Sequence, residues 1–263
     1  FLTKKMHLVF SRQPILSKYW GVISAEIDER KNRYDRISEL KTNMGILLKE
    51  ATKNTAVFDY FTGVETEYPL AFQWEDFKLA PRFTYCIDGK DGIEKIRSNY
   101  GKSVRKKIRK LQTAGFVLKE VEKTDDLEFV LRKNWEDGRD LIPVRVWPNL
   151  QKIISVSKSK GAGYLLSSFS PKGELAASAF FLSDSRQIYF ISGYVDPVFR
   201  PQAVMNLMVD HALEMAAVQG KRFDFFGSQI PSIESFFRSF GAEPKTYYRV
   251  LKAKSPFHLI WKL

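Results

Sequence analysis

Residues 222–228 read Arg222-Phe223-Asp224-Phe225-Phe226-Gly227-Ser228. Shortly after comes Ile233-Glu234-Ser235-Phe236-Phe237-Arg238-Ser239-Phe240-Gly241-Ala242. The first stretch is short, apolar and aromatic, which suits a buried strand over Arg222–Phe226, and Gly227 then turns the chain. The second places Phe236, Phe237 and Phe240 at helical spacing and ends on Gly241. Ser232–Phe240 therefore reads as a helix with a glycine stop. A buried strand running directly into such a helix is a piece of a crossover, and it predicts an α/β sheet.

The pattern extends in both directions. Upstream, Ala203–Gln219 is an amphipathic helix stopped by Gly220. Before it, Gly163–Phe169, Glu174–Ser183 and Gln187–Gly193 read as strands joined by turns at Pro171-Lys172-Gly173 and Asp184-Ser185-Arg186. Phe116–Glu122 is a strand, Asp125–Asp137 a helix with Thr124 as its cap, and Pro148–Lys160 another helix. Downstream, Lys245–Lys252 is a last strand. The order from Phe116 is β-α-α-β-β-β-α-β-α-β. Right-handed crossovers are expected to lay the two strands after the meander parallel to their neighbours.

Asp91–Thr113 carries Ile93, Ile96, Tyr100, Val104, Ile108 and Leu111 at spacings of three or four. It reads as one helix, weakened at Gly101. Lys102, Arg105, Lys106, Lys107, Arg109 and Lys110 occupy its other faces, either as a solvated surface or as a contact for phosphates. Arg82–Asp88 is a short strand. Residues 63–82 hold two prolines and no sustained periodicity, so a boundary belongs there. Earlier still, Lys5–Phe10 and Thr55–Phe61 read as strands around a helix over Asp28–Thr52, a βαβ-like remnant. Residues 1–75 then form a first unit and 83–255 a second.

The net charge of +12 favours an anionic partner. A single cysteine, Cys86, excludes an intrachain disulfide and makes a reducing, cytoplasmic setting the expectation. No apolar run has bilayer-spanning length. His7, His211 and His258 are scattered, and no His/Cys/Asp/Glu set has metal-ligand spacing, so no metal is expected. Neither a Ser-His-Asp order nor a phosphate-binding P-loop is visible. The chain opens on Phe1, so further residues are expected upstream.

The element order, the 223–228 and 233–242 segments and the following Tyr247-Tyr248 together resemble the C-terminal signature of the FemAB-like and related large GNAT-type acyltransferases. Arg105-Lys106-Lys107-Ile108-Arg109-Lys110-Leu111 resembles the R-x-x-I-R-K helix that precedes their second GNAT unit. The resemblance implies an α/β (α+β) fold, a GNAT-like mixed sheet flanked by helices. It also implies a tandem pair whose first unit is incomplete here. The activity implied is N-acyl transfer from acetyl-CoA or another acyl-CoA to an amine. The acceptor would be a small molecule or nucleotide sugar, such as an amino sugar of cell-envelope or polysaccharide chemistry. Two alternatives accompany it. One is an aminoacyl-tRNA-dependent ligase acting on a peptidoglycan precursor; the other is an inactive GNAT-like binding module.

In GNAT-like folds the acyl carrier is gripped by backbone amides between the fourth strand and the next helix. By resemblance that loop is 193–203, which assigns Gly193, Tyr194, Arg200, Gln202 and Ala203 to the cofactor. No glycine lies between Tyr194 and Gln219, a departure from the glycine-rich pyrophosphate loop. Asp224 and Tyr248 are the candidate catalytic residues. Phe226, Gly227 and Ser228, with Arg105 and Arg109 of the basic helix, are the candidate substrate contacts. Phe226 stands where related sequences often carry an acidic residue. The amphipathic end, Phe257–Leu263, suggests peripheral membrane contact or packing on the body.

Overall fold

The computed structural model of the protein describes residues 2–5, 8–14, 16–17, 19, 30–66, 68–138, 142–227 and 230–254. His7, Ser228, His258 and the 257–263 segment lie outside the described residues. In chain order the elements begin with β1 (Leu2–Lys5), β2 (Leu8–Arg12), α1 (Arg33–Thr52), β3 (Val57–Phe61), α2 (Leu70–Trp74) and β4 (Lys78–Asp88). There follow α3 (Ile93–Ser98), α4 (Lys102–Thr113), β5 (Val117–Glu120), α5 (Asp125–Glu136) and α6 (Trp147–Ser159). The rest are β6 (Gly163–Phe169), β7 (Leu175–Ser183), β8 (Gln187–Val195), α7 (Met205–Val218), β9 (Arg222–Asp224), α8 (Pro231–Arg238) and β10 (Glu243–Ala253). Among the described residues no helix is long and apolar enough to cross a membrane.

Two compact units result. One is Phe1–Phe83 with Lys245–Leu263, the other Thr84–Pro244. In the first, β2 and β3 are parallel across α1, and β10 runs antiparallel to β3. Its core is Met44 and Leu48 of α1 against Phe58, Phe72, Phe77 and Val250. Arg249 grips both carboxylate oxygens of Asp59 at 2.8 Å, which pins the β3–β10 register.

The second unit is a mixed sheet in the order β4-β9-β8-β7-β6-β5. β8 and β9 are parallel across α7, and the other pairings are antiparallel. One face is covered by α3, α4, α7 and α8, whose Ile96, Val104, Ile108, Met208, Leu213 and Phe237 share a core with Phe181 and Phe223. The buried residues of α5 and α6 (Leu127, Val130, Leu131, Leu150 and Ile154) take no part in that core. α5 packs instead on β7 and β8, and α6 on β6, so they cover the opposite face.

Several sequence expectations need correction. Residues 91–113 are two helices, because the Gly101 amide donates to the Ser239 carbonyl at 2.8 Å rather than continuing the helix. Only one of the two expected parallel crossovers forms. β9 already has β8 on one side and β4 on the other, so β10 cannot pair beside it. Thr124 precedes α5 but its hydroxyl makes no cap hydrogen bond. The 63–82 stretch holds α2 and the start of β4.

Gly89 closes the joint between β4, the end of α7 and the start of β9. A Cβ there would lie 2.1 Å from the Lys221 carbonyl oxygen and 2.5 Å from that of Ala216. Both obstacles are backbone. Gly89→Ala is therefore expected to cost about 3 kcal/mol, the upper end of ordinary overpacking, read as a fall in thermal midpoint. An unchanged midpoint would show that this joint can open freely.

Candidate active site

The site begins where two parallel strands separate. β8 pairs with β9 from Gln187↔Arg222 to Tyr189↔Asp224, and then continues to Val195. Just past that point β8 carries an extra residue, Ile191, between the pairs Phe181↔Phe190 and Phe180↔Ser192. A bulge of this kind bends its strand and re-aims the side chains beyond it. Ligands in α/β sheets commonly sit at the carboxyl ends of such diverging strands.

The turn after β9 is organised by Asp224. This carboxylate is 0% exposed. It accepts the Thr84 hydroxyl at 2.5 Å and the Phe226 amide at 2.8 Å. Phe226 has φ 61° and Gly227 φ 62°, so strand geometry ends at Asp224 rather than at Phe226. A bulky residue held in left-handed backbone stores about 1–3 kcal/mol, and the Asp224 hydrogen bond helps hold it there. The Phe226 ring meets Tyr189 edge-on at 6.1 Å. Burial pushes the Tyr189 phenol well above its usual pKa, and its hydrogen bond to Asp184 pushes it further. Tyr189 thus stays protonated.

The loop between β8 and α7 is a 3-10 turn, Pro197–Gln202. Buried Asp196 starts it, accepting the Val198 amide at 3.0 Å and the Lys133 ammonium at 2.5 Å. Arg200 pairs with Asp137 and donates to Asn134 Oδ1 at 2.8 Å, while Asn134 Nδ2 donates to the Val195 carbonyl at 3.0 Å. The sequence reading aims Arg200 at an anion. The structure instead commits its guanidinium to the C-terminal end of α5, where it braces the loop. Gln202 is exposed. Ala203 takes φ 58°, the left-handed conformation that a glycine would supply without strain. The Val204 and Met205 amides follow, and neither donates a hydrogen bond among the described residues. With the N-terminal dipole of α7 they offer an anion a place to sit.

The other sequence candidates separate spatially. Gly193 and Tyr194 are strand neighbours and point to opposite faces. Gly193 faces α7, where an added Cβ would approach Met205 Cε to 2.9 Å and the Phe190 ring to 2.7 Å. Tyr248 belongs to the first unit, half-buried against its core, and its backbone brackets Thr62. Arg105 and Arg109 are exposed on α4. Ser228 lies outside the described residues. Sequence reasoning missed Thr84, Asn134 and Asp196. Asp196 was visible in principle, since Asp before a proline at the first position of a turn is a capping signal.

A family model described as an acetyltransferase (GNAT) domain matches residues 98–236. The chain belongs to this GNAT family. It is an acyltransferase, and the matched span holds the parting of β8 and β9, the Pro197–Gln202 turn and α7. Among solved structures, FemX superposes with TM-score 0.68 at 13% identity, covering 84% of this chain and 79% of that one. L-PGS from Bacillus licheniformis does so with TM-score 0.56 at 13% identity, over 86% and 75%. A C-terminal domain (DUF2156) of a putative lysylphosphatidylglycerol synthetase from Agrobacterium fabrum gives 0.56 at 9% identity, over 87% and 77%. At these identities the likeness shows the fold, that of the large FemAB-like GNAT proteins. A search of curated proteins found no match.

Proposed function

We propose that this GNAT acyltransferase moves an acyl group, in the simplest case acetyl, from acyl-CoA to an amine. The observation that carries the reading is the pair of amides, Val204 and Met205, that donate no hydrogen bond among the described residues, at the head of α7 beside the parting of β8 and β9. The residues fit the carrier through backbone rather than side chains, because Arg200 is already paired. On this reading the pyrophosphate rests on those amides, and Ala203 supplies the turn. Bound acyl-CoA provides an activated thioester carbonyl. The protein's part is to orient the amine against it and keep water away. Asp224 is buried and fully engaged, so it holds the Phe226-Gly227 turn and acts as a positioning residue.

Isothermal titration of the folded protein with acetyl-CoA tests this. Micromolar binding is expected, and no heat at high micromolar ligand would remove a CoA donor. Ala203→Gly sharpens the test. It relieves about 1–2 kcal/mol of left-handed strain against about 0.5–1 kcal/mol of added chain entropy. Stability should hold or rise slightly, and acetyl-CoA should bind at least as tightly.

A second reading, transfer from aminoacyl-tRNA, draws on α4. Lys102, Arg105, Lys106, Lys107, Arg109 and Lys110 are all exposed, and none forms an ion pair among the described residues. It predicts RNA binding that weakens steeply with salt. Absence of a gel shift at low salt would remove it.

A further inference from the structure

Beyond Tyr189, β8 loses its neighbour on one side, because β9 ends at Asp224. Backbone groups along such an edge need other partners. The last peptide of β8 finds one in α5. The Asp196 amide donates to the Ala176 carbonyl of β7 at 2.9 Å. A trans peptide points its carbonyl the opposite way, so the Val195 carbonyl faces the side that β9 has left. There it accepts Asn134 Nδ2 at 3.0 Å. A side chain 61 residues away in sequence thus stands in for the departed strand.

Asn134 is 4% exposed, and its whole carboxamide is engaged. Nδ2 also donates to the Val130 carbonyl at 2.7 Å, and Oδ1 accepts Arg200 Nη2 at 2.8 Å. Two carbonyls need a donor and a guanidinium needs an acceptor, a combination that a carboxamide supplies and a carboxylate does not. Arg200 lies within the Pro197–Gln202 turn and pairs with Asp137, one turn further along α5. Lys133, beside Asn134, pairs with Asp196, whose carboxylate starts the same turn. The Ala203 amide then donates to the Arg200 carbonyl at 3.0 Å. The left-handed residue that aims the head of α7 therefore hangs on the backbone of Arg200. We propose that Asn134 is a positioning residue for acyl transfer: through Arg200 it fixes the turn that presents the Val204 and Met205 amides to the carrier. Its role is geometric. Arg200 is a strut between α5 and the turn, with its charge answered by Asp137, and the seat for the carrier is set from the opposite face of the sheet to α7.

This inference rests on the carrier seat proposed above but can fail separately from it. The probes are acetyl-CoA and inorganic pyrophosphate, titrated calorimetrically into the full chain and followed through the Val204 and Met205 amide resonances. Asn134→Ala, Arg200→Ala and Arg200→Lys are each expected to weaken both probes about tenfold, equivalent to one lost charge-assisted hydrogen bond. The two amide resonances should already be displaced before ligand is added, which a loss of global stability alone does not produce. Arg200→Lys keeps the charge but loses the fork that reaches Asp137 and Asn134 together. The Arg200 side chain is 25% exposed, so this variant should fold even where Asn134→Ala does not. The double variant Asn134→Ala/Arg200→Ala should bind within about twofold of the weaker single variant, because the two residues act as one unit. Arg200→Lys binding both probes as the parent does overturns the strut. So does a double variant whose losses multiply to about a hundredfold, which puts Arg200 on the anion itself. A parent that binds pyrophosphate but not acetyl-CoA overturns only the donor. A parent that binds neither overturns the seat and the positioning role with it.

Discussion

Replacing Phe225 by alanine is expected to lower the free energy of unfolding by about 3–5 kcal/mol, the range for truncating a buried aromatic. Phe225 is 2% exposed. Its ring centroid lies 4.9 Å from Phe223, 4.6 Å from Phe237 and 5.9 Å from Phe240. It joins the end of β9 to α8. The surroundings cannot collapse into the space it leaves. Phe240 is followed by Gly241 at φ 78°, whose position for a Cβ is 2.8 Å from Asn99 Cβ. Phe223 is fixed from the other side by Phe181, 6.2 Å away. Phe225→Leu keeps most of the volume and should cost under about 1.5 kcal/mol. Denaturant titration of the two variants reads both numbers. A loss below about 1 kcal/mol for the alanine variant would mean that this aromatic cluster does not hold α8 to the sheet.

That cluster was also the part of the sequence that spoke most clearly. Aromatic residues in a short run and again at helical spacing have few outcomes besides a buried strand and a packed helix. The regular alternation of elements from Phe116 onward was legible for the same reason: periodicity reports which face is buried. Partners distant in sequence were not legible. Thr84, the hydroxyl that engages Asp224, lies 140 residues away, and no local pattern marks it. The left-handed backbone of Ala203 and Phe226 is equally silent, because neither residue type advertises that conformation as glycine does. Arg200 is legible as a cation near a helix start. Its engagement by Asp137 and Asn134 depends on where α5 ends in space. Asn134 carried no signal at all. A carboxamide that replaces a strand is defined by where β9 ends, and only the packed structure reveals that.

Asp210→Ala is expected to cost about 3 kcal/mol, the lower end of the range for breaking a buried ion pair. Asp210 on α7 is 4% exposed. It accepts Arg97 Nε at 3.0 Å, Arg97 Nη2 at 2.8 Å and the Tyr100 hydroxyl at 3.0 Å. Removing it strands a buried phenol and a guanidinium. The guanidinium side chain is 34% exposed and has Glu214 at 3.1 Å, so water and that carboxylate absorb part of its loss. Tyr100→Phe gives up one hydrogen bond and should cost about 1 kcal/mol. The same network sets a pH limit. Burial raises the Tyr100 pKa above its ordinary 10.0, and Asp210 raises it further. A group whose folded pKa is raised contributes stability that is complete below its unfolded pKa and is lost as pH climbs. Above pH ~10 the unfolded chain releases the Tyr100 proton while the folded protein keeps it. Stability should then fall by about 1.4 kcal/mol per pH unit for this tyrosine. In Tyr100→Phe that slope disappears, and Tyr189 and Tyr194, raised by burial as well, supply what remains. Unfolding free energies measured at pH 8, 10 and 11 separate the contributions. A Tyr100→Phe variant that loses stability in alkali as steeply as the parent would show that burial and Asp210 together do not keep this phenol protonated in the folded protein.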